Sequence, residues 1–532
     1  MKSNNLIQNN SITTTERENT KIFFIDDIAY KSISHQQVLD MLLMQIVTID
    51  FLMLAFPELE KILERINDIE SKILSYDGKS DTSPETKSLK DELRGLHEKK
   101  QKFKITNDTI IVIAIENLLA VAKLNSWSIC KNGDFIYLYN GEFWKAIEKD
   151  DLKSFLGKAG EKMGITKYKA RYCKFKDLLF DQFMSAAYMP APIPEKGKVL
   201  INLKNGTFEI NPSQGNRLRP FNPLDFIKYQ LPFSYDPNAK APLFTQYCDR
   251  VLPDPFTRNV LAEYLGYIFI RHSGASLKLE KVLLIYGTGA NGKSVLFEVL
   301  NALLGPDNVS NYSLSSITTE QNGHYRAMLH NKLLNYATEI NGKMESSIFK
   351  QIASGEPLSA RLLYGNPMII TDYAKLIFNC NELPREVEHT HAFFRRFLII
   401  PFNVTIPESE QDHQLHTKII ANELSGVFNW MLEGLERLLE QKRFTESPEV
   451  AKALEDFKME SDTVHSFISE NDYRPHPTES EPLRTLYSEY RATCINDGNH
   501  AVSKKNFSKR LKLIGFTIQR ISMGMVVYCL KN

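Results

Sequence analysis

One loop constrains this chain more than any other segment: residues 287–294, with the sequence GTGANGKS, match the P-loop pattern. The apolar stretch 282–286 precedes the loop and predicts a strand, and residues 295–304 predict a helix. Glycines let backbone N–H groups turn inward around a phosphate, and the helix N-terminus adds the positive end of its dipole. A chance match is expected in roughly two per cent of chains of this length, and the strand and helix context lowers that figure. The segment therefore predicts binding of a nucleoside triphosphate.

The side chains of the loop have distinct predicted roles. Lys293 is expected to neutralise charge on the β- and γ-phosphates, and the Ser294 hydroxyl is expected to bind Mg²⁺. The predicted cofactors are therefore ATP and Mg²⁺. The residues predicted to cradle the phosphates are Gly287, Thr288, Gly289, Ala290, Asn291, Gly292, Lys293 and Ser294.

Two further apolar strands end in polar side chains. Residues 332–339 predict a buried strand that ends at Glu339, which is expected to polarise the attacking water and to help hold Mg²⁺. Thr338 stands where many P-loop enzymes have a second acid, and a solvated strand end is the alternative interpretation. Residues 375–381 predict a strand that ends at Asn381. This amide is expected to reach the γ-phosphate or the lytic water, or else only to cap the next turn.

Two consecutive arginines, Arg395 and Arg396, stand beside the predicted buried strand 397–402. Guanidinium groups at such a position are costly unless they meet an anion. In a ring, such an arginine reaches the γ-phosphate of the adjacent subunit as an arginine finger. A salt bridge to a nearby acidic face is the alternative, and we expect one arginine to serve each role.

The order of these parts resembles the superfamily 3 helicases, in particular the phage and plasmid primase-helicases and their poxvirus relatives. The motor segments that carry the resemblance are 289–294, 350–361, 378–384 and 394–397. Similarity outside the motor lies in 202–206, 231–236 and 429–435, so the resemblance covers roughly residue 135 to the C-terminus. Thr338 departs from the family pattern, and so does Glu356, where the family usually has aspartate.

The resemblance implies an α/β P-loop core of the AAA+-like class in a homo-oligomer, a hexameric ring with ATP between subunits. It also implies that DNA passes through the centre, gripped by a hairpin from residues 356–368. Arg361 and Tyr364 are the predicted contacts with the strand, since a cation binds phosphate and an aromatic ring stacks on bases. For Tyr364 a packed hairpin residue is the alternative.

The C-terminal segment predicts a second contact with DNA, at a duplex or fork. A helix over 483–495, a second helix from about Ser503 and a hairpin over 516–530 outline a winged helix, which the family also has. Residues 501–520 contain six bases and no acid, although a soluble helix face is the alternative. The predicted contacts are Lys504, Lys505, Lys509 and Arg510.

A third basic stretch, residues 167–176 (KYKARYCKFK), interleaves bases with aromatic rings. That composition is typical of a strip that binds single-stranded nucleic acid. On a strand, the first half would place charges on one face and rings on the other. An ordinary half-buried edge strand has the same pattern, and we favour that interpretation.

The remaining features limit the compartment and the chemistry. The formal net charge of the 532 residues is +1, so contact with DNA must come from local patches. Six scattered cysteines form no Cys-x-x-Cys pair, which argues against a zinc cluster or a disulfide framework. No signal peptide is visible, and polar residues interrupt the apolar stretch 38–56, so we expect no membrane span and a cytoplasmic protein of a bacterium or virus-infected cell.

The predicted organisation has five parts, and no polymerase is expected among them. Asp26, Asp27 and His35 form no convincing two-metal array, so we expect no template-directed synthesis, and a separate primase is a possible partner. The predicted parts are a helical region with a helical hairpin (1–115), an α+β and helical segment (116–270), the ATPase core (271–405), a helical lid and linker (406–460) and the winged helix (461–532).

Together these features predict an ATP-dependent, ring-forming DNA helicase that acts in replication of a phage, plasmid or other mobile element. Two alternatives stay open at this point. One is an origin-binding initiator whose ATPase activity serves assembly. The other is a DNA-binding ATPase of a mobile element or a defence system.

Overall fold

The structure is a computed structural model, which describes residues 33–75, 84–133, 135–190, 195, 197–211, 215–272, 277–338, 340, 344–363, 365–384, 388–497, 501–522 and 524–531. The chain divides into two compact units. The first unit comprises Met1–Pro192 and Phe221–Lys228, and the second comprises Ile193–Pro220 and Tyr229–Asn532. This division falls inside the predicted 116–270 segment.

The first unit begins with helices, as the sequence predicts for this region. They are α1 His35–Gln45, α2 Phe51–Ala55, α3 Glu58–Ser75, α4 Pro84–Lys100 and α5 Asn107–Leu124. Helix α3 lies against α4, and Arg65 Nε is 2.9 Å from Glu92 Oε1 across the pair. The two helices lie against each other as the arms of a helical hairpin would, and residues 76–83 between them lie outside the described residues. Helix α4 buries only Thr86 and is therefore mostly solvated.

A small antiparallel sheet and three helices complete the first unit. They are β1 Ser128–Asn132, β2 Phe135–Tyr139, β3 Trp144–Ile147, α6 Lys149–Lys162, α7 Lys167–Arg171 and α8 Cys173–Ala186. The strand predicted for residues 167–176 is wrong, because they form α7 and the start of α8. Phe175, Leu179 and Phe183 repeat every four residues and are buried, so helical periodicity prevails over the short alternation.

The second unit begins with an antiparallel sheet and two helices. Its elements up to residue 267 are β4 Val199–Leu203, β5 Gly206–Ile210, β6 Arg217–Arg219, α9 Pro242–Val251 and α10 Pro255–Tyr267. Glu209 is buried in the sheet, and Arg219 Nε lies 2.5 Å from its carboxylate. Removal of either partner from such an ion pair would leave an uncompensated charge in the interior and would destabilise the fold.

An α/β core follows, with a parallel five-stranded sheet. In chain order its elements are β7 Val282–Tyr286, α11 Lys293–Leu304, β8 Val309–Ser310, α12 Leu314–Thr318, α13 Gly323–Ala327, β9 Leu334–Ala337, α14 Ser346–Ala353, β10 Leu358–Arg361, β11 Pro367–Ile370, β12 Lys375–Cys380, α15 His391–Phe394 and β13 Phe397–Pro401. The strand order is β13-β7-β12-β9-β8, and every neighbouring pair is parallel. The strand predicted over 282–286 is confirmed at the same residues. The predicted hairpin is also present, as the antiparallel pair β10–β11.

Three helices follow the sheet, and one of them packs closely on α10. They are α16 Leu415–Asn422, α17 Leu424–Gln441 and α18 Pro448–Glu460. Helices α10 and α17 approach each other at Gly266 and Gly434. A Cβ on Gly434 would lie 2.3 Å from the carbonyl carbon of Ala262, and a Cβ on Gly266 would lie 2.7 Å from Leu435 Cβ. Only residues without a side chain permit this approach of two backbones.

The C-terminal elements have a hydrophobic core of their own. They are α19 Thr463–Glu470, β14 Tyr473–Pro482, α20 Leu483–Asn496, α21 Lys504–Leu513, β15 Thr517–Ile521 and β16 Gly524–Lys531. The strands form an antiparallel sheet of order β14-β16-β15. The rings of Tyr490 and Phe507 stack between α20 and α21, with centroids 4.7 Å apart. The predicted helix over 483–495, the helix near Ser503 and the hairpin over 516–530 are all present.

Two predictions about composition can be compared with these elements. Among the described residues, no helix is both long enough and apolar enough to cross a membrane. All six cysteines are free thiols, and every one except Cys173 is buried.

Two glycine-to-alanine substitutions should have opposite effects on the free energy of unfolding, because only one of the two glycines lies in the contact between α10 and α17. Gly434→Ala should lower the free energy of unfolding by about 2 kcal/mol, because the new methyl group overlaps the α10 backbone. Gly95→Ala is the matched control, since this glycine lies within α4 and a Cβ there would meet nothing within 4 Å. It should raise stability by roughly 0.5–1 kcal/mol. Urea denaturation followed by circular dichroism measures both values, and equal effects would contradict the packing described.

Candidate nucleotide-binding site

The loop 287–294 leads from the end of β7 to the start of α11, and two of its glycines are required by its shape. Gly292 caps α11 with a φ of +84°, and a Cβ there would lie 2.9 Å from the Tyr247 ring. A Cβ on Gly287 would lie 2.5 Å from the carbonyl oxygen of Phe402. The loop therefore turns tightly between the strand and the helix, at positions that only glycine can occupy without strain.

The Lys293 ammonium is held against the loop itself. Its Nζ donates to the carbonyl oxygen of Gly287 at 2.5 Å and to Asn291 Oδ1 at 3.0 Å. Asn291 Nδ2 in turn donates to the Phe402 carbonyl oxygen at 2.9 Å. The Lys293 side chain is buried, and burial lowers the pKa of its ammonium. A phosphate oxygen is a stronger acceptor than these neutral oxygens, so the ammonium is placed to exchange them for a charged partner.

The predicted catalytic positions follow strands that end at the same edge of the sheet as the loop. Gly287 N donates to the Cys380 carbonyl oxygen at 3.1 Å, so Asn381, which is exposed, begins directly beside the loop. Ala337 pairs with Phe378 on the next strand, which brings Thr338 to the same edge. Glu339 lies outside the described residues, so its role and that of Asn381 stay predictions.

Mg²⁺ has one predicted oxygen donor among the described residues. Ser294 is exposed in the first turn of α11, next to Lys293, and a hydroxyl there is the kind of ligand that Mg²⁺ binds together with phosphate oxygens. Elsewhere in the described part of the chain, no group of three or more His, Cys, Asp or Glu side chains is placed to hold a metal ion. His35 lies half-buried against the Phe143 ring, and desolvation by its surroundings lowers its pKa to about 4. Asp26 and Asp27 lie outside the described residues.

Tyr247 supports the loop and was not predicted from the sequence. It lies on α9, and its buried hydroxyl donates to the Gly292 carbonyl oxygen at 2.8 Å. From the other side, Ile406 N donates to the Ala290 carbonyl oxygen at 2.8 Å. A tyrosine in a helix some forty-five residues upstream of the loop gives no sequence signal of such a contact.

The two arginines differ in their surroundings. Arg396 is buried and donates through Nη2 to Ser354 Oγ at 2.9 Å and through Nε to the Lys350 carbonyl oxygen at 3.3 Å. Arg395 keeps 47% of its side chain exposed and forms an ion pair with Glu280 at 2.7 Å, and the same Glu280 oxygen lies 3.9 Å from Arg396 Nη2. Arg396 therefore serves the local fold, while Arg395 faces outward.

The arginines lie at the amino ends of the parallel strands, whereas the loop lies at their carboxyl ends. Val282 N donates to the Arg396 carbonyl oxygen at 2.8 Å, and Phe397 pairs with Val282 at the amino end of β7. The loop begins after Tyr286, at the carboxyl end of the same strand. The length of β7 therefore separates them by roughly 16 Å, at about 3.3 Å per residue. Arg395 cannot reach a phosphate bound by the loop of its own chain.

The hairpin β10–β11 presents exposed side chains near its turn. Arg361 is exposed, and its Nε donates to the Gly365 carbonyl oxygen at 2.9 Å. Leu363 and Ile369 are each 73% exposed. Tyr364 lies outside the described residues, so the roles predicted for it and for Arg361 stay predictions. Buried Arg326 fixes the hairpin to α13, because its Nε donates to the Ser359 carbonyl oxygen at 2.9 Å.

A buried lysine lies near the base of the hairpin. Lys375 Nζ lies 3.1 Å from His272 Nδ1 and 4.2 Å from the centre of the Tyr267 ring. Burial lowers the pKa of Lys375 to about 7 and that of His272 to about 2. The Tyr373 ring packs on the His272 ring, and the Tyr373 hydroxyl donates to the Glu356 carbonyl oxygen at 2.9 Å. This cluster fixes the chain where it enters the hairpin.

The predicted DNA contacts of the C-terminal elements fall into two groups. Lys504, Lys505 and Lys509 are exposed on α21. Arg510 is only 16% exposed in its side chain, and its Nη1 lies 2.8 Å from Asp462 Oδ1. Its guanidinium therefore joins α21 to the start of α19, and the three lysines are the accessible members of the predicted set.

Comparisons with known proteins match separate parts of the chain. Residues 119–253 match the family described as "D5 N terminal like", and residues 285–396 match a family of unknown function (DUF5906). A protein of Acanthamoeba polyphaga mimivirus described as "Putative helicase L207/L206" is 23% identical over 241 residues, or 43% of this chain. That match covers 24% of the length of the mimivirus protein.

Two solved structures also match over much of the chain. Both are apo structures of the NrS-1 C-terminal region, 13% and 14% identical, with TM-scores of 0.40 and 0.41. Each match covers 78% of this chain and 98% of the other.

Tyr247 provides a test of how the loop is supported. Tyr247→Phe removes the hydrogen bond to Gly292, so the affinity for a fluorescent ATP analogue should fall about two- to tenfold, the value of one buried hydrogen bond. Tyr487→Phe is the matched control, since its hydroxyl also donates to a backbone carbonyl oxygen, that of Val502, at 2.9 Å. The control should bind the analogue as tightly as the unaltered chain. Equal affinities for all three proteins would show that Tyr247 does not position the loop.

Proposed function

We propose that this chain, a relative of the phage and viral primase-helicases, is an ATP-dependent DNA helicase that works as a ring of identical subunits. The observation that carries the proposal is the position of Arg395 relative to the loop 287–294. Both lie on the same sheet but at opposite edges, as a site shared between neighbouring copies requires. A role in replicating a mobile element follows from the relationship, which rests on the matched segments and the mimivirus protein.

The loop supplies the binding half of the proposed site. Its backbone N–H groups and the start of α11 face the β-phosphate, and Lys293 leaves the Gly287 oxygen to meet the γ-phosphate. Ser294 and Glu339 would hold Mg²⁺, which would neutralise phosphate charge. Asn381 orients the attacking water from the adjacent strand, and Glu339 accepts its proton.

Arg395 supplies the second half of the site to the neighbouring copy. Its ion pair with Glu280 is partly exposed, and such pairs are weak, so exchange of the carboxylate for a phosphate costs little. Arg396 cannot be exchanged in this way, because its buried partners would be left without a donor. Of the two arginines, Arg395 is therefore the proposed finger, and Arg396 holds α14 to the segment before β13.

The hairpin is the proposed contact with the translocating strand. Arg361 binds a phosphate, and the exposed apolar side chains of Leu363 and Ile369 lie against sugars and bases. Arg326 and the cluster around Lys375 hold the base of the hairpin rigid. Movements of the sheet that follow hydrolysis are thereby transmitted to the DNA.

The C-terminal elements act as a winged helix on the duplex ahead of the motor. Their order of helices and strands and the antiparallel sheet agree with that fold, and α21 takes the place of the recognition helix. Lys504, Lys505 and Lys509 contact phosphates from this helix. Arg510 keeps its ion pair with Asp462 and orients the helix.

Strand displacement on a forked duplex tests the proposed function. The unaltered chain should separate the strands in the presence of ATP. The Lys293→Ala variant should neither separate strands nor hydrolyse ATP, because the phosphates lose their cation. Arg361→Ala should hydrolyse ATP at a normal rate but displace strands about tenfold more slowly, since one phosphate contact of the hairpin is lost. Arg443→Ala, which removes a 71%-exposed arginine from the segment after α17, is the control and should be unaffected. A chain that hydrolyses ATP and binds a specific site without separating strands would be an initiator instead.

A further inference from the structure

One surface of the first unit combines exposed rings with positive charge and has no part in the proposed motor. It consists of the exposed side chains of Lys167, Tyr168, Arg171, Tyr172 and Lys174, and we refer to it as the basic-aromatic surface. It lies on the short helix α7 and the first turn of α8. Tyr172 forms the junction between them, with an extended backbone (φ −66°, ψ 130°).

The two tyrosine rings lie unusually open to solvent. Tyr168 is 87% exposed and Tyr172 is 54% exposed. Within the described part of the chain, neither ring stacks on another aromatic side chain or is hydrogen-bonded through its hydroxyl. Rings in a half-buried edge strand would instead pack against a core. The fold therefore does not explain why aromatic residues occupy these two positions.

The scaffold beneath the surface is firmly packed. Ala170 and Leu179 are fully buried, and Phe175 is 5% exposed in the core of the first unit. Lys169 points away from the surface, donates to Asn107 Oδ1 at 2.5 Å and lies 5.1 Å from the centre of the Phe175 ring. The rings are thus presented by rigid helices, so a partner would bind them without ordering a loop.

The charge of the surface is strongly positive. Residues 164–176 contain no acid, and three of their five bases, Lys167, Arg171 and Lys174, belong to the surface. Arg171 pairs with Glu161 at 2.8 Å, but among the described residues Lys167 and Lys174 form no ion pair. The first turn of α8 also contains no acid and no side-chain cap, so its positive dipole end adds to the same field.

We propose that the basic-aromatic surface binds single-stranded DNA, with Tyr168 and Tyr172 stacking on bases and Lys167, Arg171 and Lys174 binding phosphates. Unpaired bases have free faces for stacking, whereas the bases of a duplex are covered by their neighbours. A purely electrostatic surface for duplex DNA needs the cations but not the rings. Exposed rings between cations therefore favour the single strand. This contact goes beyond the proposed motor, because it needs no nucleotide and lies on the first unit.

The direct test is photo-crosslinking of the full chain to an oligodeoxythymidylate that contains 5-iododeoxyuridine, without nucleotide. Crosslinks form where an aromatic ring stacks on the iodinated base, so mass spectrometry should find adducts on Tyr168 or Tyr172. Tyr188, which is 64% exposed and follows the other end of α8, is the internal control and should carry none. Adducts confined to other parts of the chain would overturn the proposal.

Binding measurements with variants give the second readout. Fluorescence anisotropy should show that Tyr168→Ala/Tyr172→Ala weakens binding of the single strand about tenfold and leaves binding of a duplex of equal length unchanged. Tyr188→Ala should change neither. Lys167→Ala/Lys174→Ala should reduce the slope of log affinity against log salt by about 1.4, the value for two phosphate contacts on a single strand. Lys99→Ala/Lys100→Ala, at the exposed end of α4, removes the same charge and should leave the slope unchanged.

These variants alter only exposed side chains, so their thermal unfolding should match that of the unaltered chain. If the ring variant binds single strand and duplex with equally reduced affinity, the surface is electrostatic and the proposal fails. If it binds the single strand as tightly as the unaltered chain does, the rings have no role and the proposal also fails. Neither result depends on whether the chain hydrolyses ATP.

Discussion

All five strands of the central sheet run in the same direction, and this direction separates two groups of side chains. The glycine loop, Thr338 and Asn381 follow the carboxyl ends of strands, while the arginines precede the amino end of β13. A chain with this arrangement cannot bring Arg395 to its own loop. In the proposed site the two halves meet only where one copy of the chain contacts another, so assembly would be a condition for hydrolysis. A heterologous contact of this type generates a ring when the rotation between successive copies closes.

The residues that support the loop and the residues that support the arginines come from distant parts of the chain. Tyr247 from α9 and the Phe402 carbonyl oxygen hold the loop, and Ser354 at the end of α14 holds Arg396. The hairpin begins shortly after Ser354, so the buried arginine and the segment proposed to bind DNA share one anchoring region. In the proposed ring, a change at the subunit boundary next to Arg395 would be adjacent to the base of the hairpin. This proximity would give a short physical route between hydrolysis and movement of DNA.

Sequence patterns predicted the parts of the fold that depend on local signals. The strand over 282–286 and the helix after the loop were predictable because an apolar run, a glycine turn and a helical period follow each other without interruption. Residues 167–176 were misassigned because their alternation is local, whereas Phe175, Leu179 and Phe183 set the helical period over a longer stretch. The sequence could not distinguish Arg395 from Arg396, because Ser354, the partner that holds Arg396 in the interior, lies 42 residues away. Contacts of that kind become visible only in three dimensions.

The sharing of one site by two copies is the claim on which the account rests, and mixed oligomers measure it. Lys293→Ala and Arg395→Ala should each abolish DNA-stimulated ATP hydrolysis. When the two variants are co-expressed, boundaries that combine an intact loop with an intact arginine should form in about a quarter of cases, as expected for random assembly with heterologous contacts. The account predicts that hydrolysis recovers to a comparable fraction of the unaltered rate. Absence of any recovery from oligomers shown to contain both variants, or full hydrolysis by Arg395→Ala alone, would contradict it.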